Sequence, residues 1–232
     1  MSTPSRPSTD TAPRRGVHLV LAVKNLVDAK SRLSTTFPGD ERAELVLAML
    51  RDTASAAAAA DVVTGWSVVT PDARVARVAN ALGGHTVSEP EAGAATTVER
   101  LNRALSAADD AISDAHGGDV IALQADLPAL RTAELRAAYA AAPPDTRSVV
   151  IDHTGTGTSA LIVRGRPRRL EPRFGPDSAS RHVDSGAFPL LGAWPGLRLD
   201  VDTADDVRAA LDLGVGRHTA AVLAELGWTA AR

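Results

Sequence analysis

Apolar residues in this chain occur in short runs that alternate with longer amphipathic stretches. Residues 17–23 (VHLVLAV) form a nearly continuous apolar run, which is typical of a strand buried on both faces of a parallel sheet. From residue 40 to residue 60, apolar side chains such as Leu45 and Met49 recur at helical spacing, and Asp52 and Thr53 are expected to turn away from them. The pattern predicts a strand, a loop and an amphipathic helix.

The alternation of strand-like and helix-like stretches continues along the chain. Further strands are predicted at residues 66–70, 84–87, 120–124, 148–152, 159–163 and 197–201, and further helices at residues 72–82, 97–115, 132–141, 204–213 and 217–226. Such alternation implies right-handed crossovers and a three-layer α/β/α sandwich with a mostly parallel sheet. We expect one domain over residues 16–232 and a disordered tail over residues 1–15, which are rich in Ser, Thr and Pro.

The composition of the chain limits the kinds of ligand and partner that it can bind. Across 232 residues the formal net charge is -3, so no broad basic face is available to neutralise a nucleic-acid backbone. The chain has no cysteine, which excludes disulfides, thiolate metal sites and a cysteine nucleophile, and is compatible with the cytoplasm. No apolar run approaches the roughly 20 residues of a membrane span. Alanine-rich helix faces would serve core packing and a homodimer equally well.

A basic loop follows the first predicted strand. Lys24 leaves the strand end directly, and Lys30 and Arg32 can fold back over the crevice where open parallel sheets place their ligands. Together these cations are suited to neutralising a triphosphate and a departing pyrophosphate. The alternative is a solvated basic loop without a ligand. The loop lacks a Walker-type glycine pattern, which argues against a P-loop nucleotidase.

Acidic residues follow two other predicted strands. Asp126 comes directly after the apolar strand at residues 120–124, and Asp200 and Asp202 lie at the end of the strand predicted at residues 197–201. If these carboxylates converge, they can hold one or two magnesium ions against a phosphate. The alternatives are a turn-forming aspartate before proline and a set of helix caps. Asp205 and Asp206 are interpreted as helix-end charges only.

Glycine, threonine and serine are concentrated in two later segments, residues 154–158 and 173–178. Glycines let backbone N–H groups approach an anion, and hydroxyl groups add donors, which suits a small phosphate and carboxylate. A hairpin turn and a capped helix start are the alternatives. His182 could contact an anion or be structural, and the other histidines show no metal-ligand spacing.

Taken together, the segments AVK and AKSRL in residues 22–33, LQADLP at 123–128, GTGT at 155–158, RFGPDS at 173–178 and LDVDT at 199–203 are specific in combination. They resemble the 2-phospho-L-lactate and phosphoenolpyruvate guanylyltransferases of deazaflavin coenzyme F-420 synthesis, and the actinobacterial phosphoenolpyruvate enzymes most of all. The resemblance runs from about residue 17 to residue 216. Ala125 departs from the family's glycine, and the arginine-rich segment 164–172 is slightly longer than in the family.

The resemblance implies a nucleotidyltransferase, Rossmann-type fold and a role for each matching residue. The positions that match phosphoenolpyruvate-binding residues are Thr158, Gly175 and Ser178. The positions that match the acidic, magnesium-carrying residues are Asp126, Asp200 and Asp202. The loop positions expected at the nucleotide phosphates, and at the reaction together with Asp126, are Lys24, Lys30 and Arg32. Asn102 lies in a further matching stretch and is expected near the nucleotide.

The expected ligands are therefore GTP, Mg²⁺ and a small phosphorylated three-carbon acid. Phosphoenolpyruvate is the expected acceptor and 2-phospholactate the alternative, because no single residue distinguishes an enol carbon from a lactyl carbon. Two other interpretations stay open from the residues alone. One is a molybdenum-cofactor or sugar-phosphate nucleotidyltransferase of the same fold, and the other is a nucleotide-binding regulatory protein without catalysis.

Overall fold

The computed structural model describes residues 16–87, 96–116, 118–165 and 169–229, with the side chains of residues 113–116 left aside. The predicted tail at residues 1–15 lies outside these residues, as does part of the arginine-rich segment 164–172. None of the helices in the described ranges combines the length and the apolar character that crossing a lipid bilayer requires.

The described residues form a seven-stranded sheet in the order β3-β2-β1-β4-β6-β5-β7. The strands are β1 Val17–Ala22, β2 Val63–Val69, β3 His85–Val87, β4 Asp119–Gln124, β5 Thr146–Ile151, β6 Thr158–Arg164 and β7 Phe188–Leu190. Only β6 runs against its neighbours β4 and β5, and the other pairings are parallel. The predicted mostly parallel sheet is confirmed.

Helices cover both faces of this sheet. In chain order they are α1 Asp40–Ala58, α2 Ala73–Ala81, α3 Thr97–His116, α4 Thr132–Ala141, α5 Ser178–Asp184, α6 Pro195–Arg198, α7 Ala204–Leu213 and α8 Arg217–Glu225, with a 3-10 helix at Ser31–Leu33. Along β1, Leu19 and Leu21 pack in a core with residues of α1, α2, α4, α7 and α8, while Val20 packs in a second core with residues of α3. Both faces of the strand are therefore buried, and the three-layer sandwich is confirmed.

The strand predicted at residues 197–201 is wrong. Residues 195–198 form the short helix α6 instead, because Pro195 sits in its first turn, where its fixed φ favours helical backbone and its missing N–H costs nothing. Residues 199–203 then run without a ladder of strand hydrogen bonds, and the N–H of Val201 donates to the carbonyl of Asp126 at 3.1 Å. Two further elements lie between β6 and α6. The helix α5 corresponds to the capped helix start that the sequence left as an alternative, and the strand β7 was not predicted.

The expected outward orientation of Asp52 and Thr53 on α1 is also wrong, since both side chains are buried. The Asp52 carboxylate accepts hydrogen bonds from the N–H groups of His218 and Thr219 in the first turn of α8, at 3.1 and 2.7 Å. The Oγ1 of Thr53 accepts one from the N–H of Leu127 at 3.0 Å. Both polar groups are buried because they bind backbone donors of distant segments. Thr53 thereby anchors the loop that carries Asp126.

Candidate active site

Four loops meet at the edge of the sheet where the parallel strands end. Residues 24–32 follow β1, residues 125–128 follow β4, and residues 152–157 join the end of β5 to the start of β6. Because β6 is reversed, its first residue lies at the same edge as the last residues of β4 and β5. Residues 199–203 are attached there through the Val201 to Asp126 hydrogen bond. Four of the polar segments singled out in the sequence are thus brought together.

Lys30 is held between two aspartates that are far away in the sequence. Its Nζ donates to Oδ2 of Asp126 and, at 2.5 Å, to Oδ1 of Asp202. The exposed fractions of the Lys30, Asp126 and Asp202 side chains are 12%, 16% and 44%. Burial alone would lower the pKa of Lys30, but the attraction of the two carboxylates outweighs it and raises that pKa. The predicted convergence of carboxylates therefore occurs around an ammonium group.

Asp200 adds a third carboxylate with a distinct electrostatic environment. Burial and the charge of Asp126 raise the pKa of Asp200 to about 7, against the lowering effect of Lys30. Oδ1 of Asp200 and Oδ1 of Asp126 are buried and have no hydrogen-bond partner. Hard carboxylate oxygens that accept no hydrogen bond are ligands that a divalent cation such as magnesium takes. The donors thus fit such a cation, although no group of three His, Asp or Glu side chains in the described residues is arranged as a formed metal centre.

The other two predicted cations lie around the same carboxylates. Burial works to raise the pKa of Asp202, but the positive charges of Lys30, Arg32 and Lys24 lower it below its ordinary value. Lys24 and Arg32 are exposed, in contrast to Lys30. The basic loop therefore contributes one partly buried cation to the carboxylates and two exposed cations to the solvent side of the crevice.

The backbone of the basic loop is fixed by distant side chains. Asp72 caps α2 by accepting from the N–H groups of Arg74 and Val75, and its other oxygen accepts from the N–H of Leu26 at 3.1 Å. Nη2 of Arg42 donates to the carbonyl of Val27 at 3.0 Å. Lys30 itself has left-handed backbone, with φ of 54°. Such backbone is unusual for a residue with a side chain and is commonly retained at functional sites.

Asp206 is more than the helix-end charge that the sequence indicated. Its Oδ2 accepts from the N–H of Asp202 at 3.0 Å, the N–H of Thr203 at 2.7 Å and the Thr203 hydroxyl at 2.9 Å. Its Oδ1 lies 3.1 Å from Nε2 of His153, whose Nδ1 lies 3.4 Å from Oδ1 of Asp200. The capping-box spacing of Thr203 and Asp206 was a usable sequence signal for the first set of contacts. Nothing in the sequence indicated His153.

Asp152 was also missed. It follows β5 directly, is buried, and accepts a hydrogen bond from the Thr154 hydroxyl at 2.9 Å. Its charge contributes to the raised pKa of Asp200. An acidic residue directly after an apolar strand is the signal that identified Asp126, and the same signal at Asp152 could have added it to the candidate site.

The three predicted acceptor residues lie in one cluster beside the start of β6. Thr158 and Ser178 are buried, and the N–H of Ser178 donates to the carbonyl of Gly175 at 3.1 Å. Gly175 has φ of +118°, and a Cβ there would lie 2.8 Å from a methyl carbon of Val98, so only glycine fits. The N–H of Ala179 donates to the carbonyl of Thr156 at 3.0 Å, which ties α5 to the Gly-Thr loop.

Asn102 and His182 hold the segment that precedes α5. The Asn102 amide accepts from the N–H of Phe174 at 2.8 Å and donates to its carbonyl at 3.0 Å. The nucleotide contact expected for Asn102 stays a prediction. His182 is fully buried, and its Nε2 lies 2.8 Å from the backbone nitrogen of Arg173. It therefore has the structural role that the sequence analysis gave as one of two alternatives.

Comparison with known proteins is consistent with this arrangement. A family model described as "Guanylyl transferase CofC like" matches residues 17–231. A phosphoenolpyruvate guanylyltransferase from Nocardia farcinica is 51% identical over 214 residues, covering 92% of this chain and 93% of the relative. One from Mycobacterium sp. strain KMS is 54% identical over 205 residues, covering 88% of this chain and 90% of the relative.

The solved structures bear on the fold. A structure assigned as a nucleotide-diphospho-sugar transferase from Desulfovibrio desulfuricans superposes with a TM-score of 0.63 at 16% identity, covering 90% of this chain and 94% of the other. The predicted nucleotidyltransferase fold is confirmed. Since the family model spans residues 17–231 and relatives at 51% and 54% identity cover most of the chain, the resemblance drawn from the motifs is confirmed, and the chain belongs to the CofC-like guanylyl transferase family.

Proposed function

We propose that this chain transfers the guanylyl group of GTP to phosphoenolpyruvate, giving enolpyruvyl-diphospho-guanosine and pyrophosphate. The observation that carries the proposal is the meeting of Lys30 with Asp126 and Asp202, together with a buried oxygen of Asp200 that accepts no hydrogen bond. Such a cluster of carboxylates and cations is what the transfer of a nucleotidyl group between phosphorylated ligands requires. The names of the relatives from Nocardia farcinica and Mycobacterium support phosphoenolpyruvate as the acceptor.

Magnesium is the cation that we assign to this edge of the sheet. Asp126 and Asp200, each with a buried oxygen that accepts no hydrogen bond, would hold it together with Asp202. When bound, it would supply positive charge that polarises phosphate oxygens. Asp206 fixes the backbone of Asp202 and so keeps that carboxylate in place.

The reaction needs no nucleophile from the protein. An oxygen of the acceptor phosphate, already ionised at neutral pH, forms a bond to the α-phosphorus of GTP while the bond from that phosphorus to the bridging oxygen of pyrophosphate breaks. The work of the chain is to position both ligands and to offset charge. Lys24 and Arg32, which are exposed, would neutralise the departing pyrophosphate together with Lys30.

The acceptor is proposed to bind at Thr158, Gly175 and Ser178. This cluster lies at the start of β6, which is paired with β4, the strand that leads to Asp126. All of the residues invoked belong to one chain, so the chemistry itself requires no second copy in a homodimer. We place the reaction in the cytoplasm. The use of GTP is compatible with that compartment, and a chain without cysteine is compatible with its reducing environment.

A product-resolved assay tests the proposal. The purified chain is incubated with magnesium and each of ATP, GTP, CTP and UTP, crossed with phosphoenolpyruvate, 2-phospholactate and 3-phosphoglycerate. Pyrophosphate release and the mass of the product are measured. We expect both signals for GTP with phosphoenolpyruvate.

Each other outcome contradicts a named part of the proposal. Turnover with 2-phospholactate instead would overturn the acceptor, and turnover with another nucleotide would overturn the base. Binding of GTP without pyrophosphate release in any combination would indicate a nucleotide-binding regulatory protein.

A further inference from the structure

His182 lies inside the cluster of proposed acceptor residues and contacts two separate segments. Its side chain is 0% exposed, and its ring packs edge-on against that of Phe174 with the centroids 5.2 Å apart. Its Nδ1 lies 3.0 Å from Oγ1 of Thr158, and its Nε2 lies 2.8 Å from the backbone nitrogen of Arg173. One buried imidazole therefore joins α5 to the start of β6 and to the loop before α5.

The contact with Arg173 decides which ring nitrogen carries the hydrogen. A backbone N–H can only donate, so Nε2 of His182 is the acceptor and bears no hydrogen. Burial and then the charges of neighbouring arginines lower the pKa of His182 to about 4, so the ring is neutral at pH 7. A neutral ring with a bare Nε2 carries its hydrogen on Nδ1. The Nδ1–H group therefore donates to Thr158.

This donation gives the Thr158 hydroxyl a defined direction. Its oxygen receives the hydrogen of His182 on one lone pair, so its own hydrogen points away from the ring and is available to another acceptor. The carbonyl of Thr158 is also held, by Nε2 of Gln124 at 3.3 Å. Thr158 is thus fixed on two sides at the edge of the sheet and can act there as an O–H donor.

We propose that His182 is a positioning residue that fixes the Thr158 hydroxyl as a hydrogen-bond donor to an anionic oxygen of the acceptor. The inference rests on the proposed function and adds to it a reason why the site takes an anionic acceptor. An ionised carboxylate or phosphate oxygen only accepts, so it matches a hydroxyl whose hydrogen points away from His182.

Substitutions at Thr158 test the hydroxyl. Thr158→Val keeps the shape but removes the donor, and should raise the KM for phosphoenolpyruvate about ten- to a hundred-fold, the range for a hydrogen bond to a charged group, with little change in the KM for GTP. Thr158→Ser keeps the hydroxyl and should raise this KM less than Thr158→Val does. Thr146→Val, which removes a hydroxyl at the opposite edge of the sheet, is the matched control.

Two substitutions at His182 separate positioning from mere support. In His182→Asn the side-chain amide can replace Nδ1 and donate to Thr158, while in His182→Gln the amide oxygen can replace Nε2 and accept from Arg173 only. We expect the Gln variant to lose acceptor affinity and the Asn variant to retain more of it. In the Thr158→Val background, His182→Gln should add no further increase in the acceptor KM. His85→Gln, at an exposed position, is the control.

Nitrogen-15 NMR of the full wild-type chain reads the tautomer directly, and so stays decisive if a His182 variant fails to fold. A hydrogen on Nε2 of His182, equal losses in the Asn and Gln variants, or additive effects with Thr158→Val would each overturn the inference while wild-type turnover continued. Failure of the proposed function is recognised separately, because the wild-type chain itself would then release no pyrophosphate from GTP and phosphoenolpyruvate.

Discussion

Lys30→Met removes the ammonium that separates Asp126 from Asp202 and keeps an apolar side chain of similar length. In the variant, the carboxylates of Asp126, which is only 16% exposed, and of Asp202, which is 44% exposed, lose their shared partner. Breaking a buried ion pair costs about 3–5 kcal/mol, and the exposure of Asp202 places this case at the lower end, about 3 kcal/mol. With a slope of about 2 kcal/mol per molar, the urea midpoint should fall by about 1.5 M.

Magnesium should reverse most of this loss. In the variant it no longer competes with the Lys30 ammonium for the carboxylates of Asp126 and Asp202. At a concentration about 100 times its Kd, a ligand of the folded state adds about 2.7 kcal/mol. Urea unfolding followed by circular dichroism, with and without magnesium, measures both effects, and Lys24→Met is the control because Lys24 is exposed. An unchanged midpoint, or equal stabilisation of wild type and variant by magnesium, would refute the reasoning.

Three further changes test other parts of the site. Asp126→Asn should keep the far-UV circular dichroism and lower pyrophosphate release about a hundred-fold, since an amide is a poorer magnesium ligand; near-normal release would remove this residue from the metal assignment. Asp206→Asn should raise the magnesium concentration for half-maximal rate about ten-fold, because Asp206 holds the N–H of Asp202 at 3.0 Å; an unchanged magnesium titration contradicts this. The stability that His182 itself contributes, measured as the difference between wild type and His182→Gln, should fall by up to about 3 kcal/mol as the pH drops from about 6.5 to about 4, since its pKa is lowered to about 4 and the unfolded chain takes up the proton first. Urea midpoints across this range check the last prediction, and the same pH slope in His182→Gln would disprove it.

The parts of the fold that the sequence predicted rest on local pattern. A strand buried on both faces has to be apolar throughout, so β1 and β4 were evident, and their ends indicated where Lys24 and Asp126 would lie. The helices of the first half were found because their apolar positions recur every three or four residues. The sequence therefore predicted a candidate site at the carboxyl edge of the sheet, and the structure brings Lys30, Asp126 and Asp202 together there.

The remaining features depend on contacts between distant residues. Lys30 pairs with carboxylates 96 and 172 residues away, and no local pattern encodes that choice over a phosphate. Asp52 looked like an outward residue because polarity alone does not reveal a buried backbone donor from α8. The segment at 197–201 was apolar enough for a strand, but Pro195 starts a helical turn just before it. Local polarity therefore misplaced the residues whose partners come from elsewhere in the chain.

The adjacent positions of Asp52 and Thr53 have a practical consequence for protein engineering. In one turn of α1, Asp52 binds the beginning of α8 and Thr53 binds the segment after β4. Deleting α8, or fusing a bulky tag that displaces it, would leave the Asp52 carboxylate buried without its hydrogen-bond donors. It would also disturb the neighbouring hydrogen bond between Thr53 and Leu127. Damage far from the crevice would then appear as weakened catalysis, so affinity handles are better attached before β1.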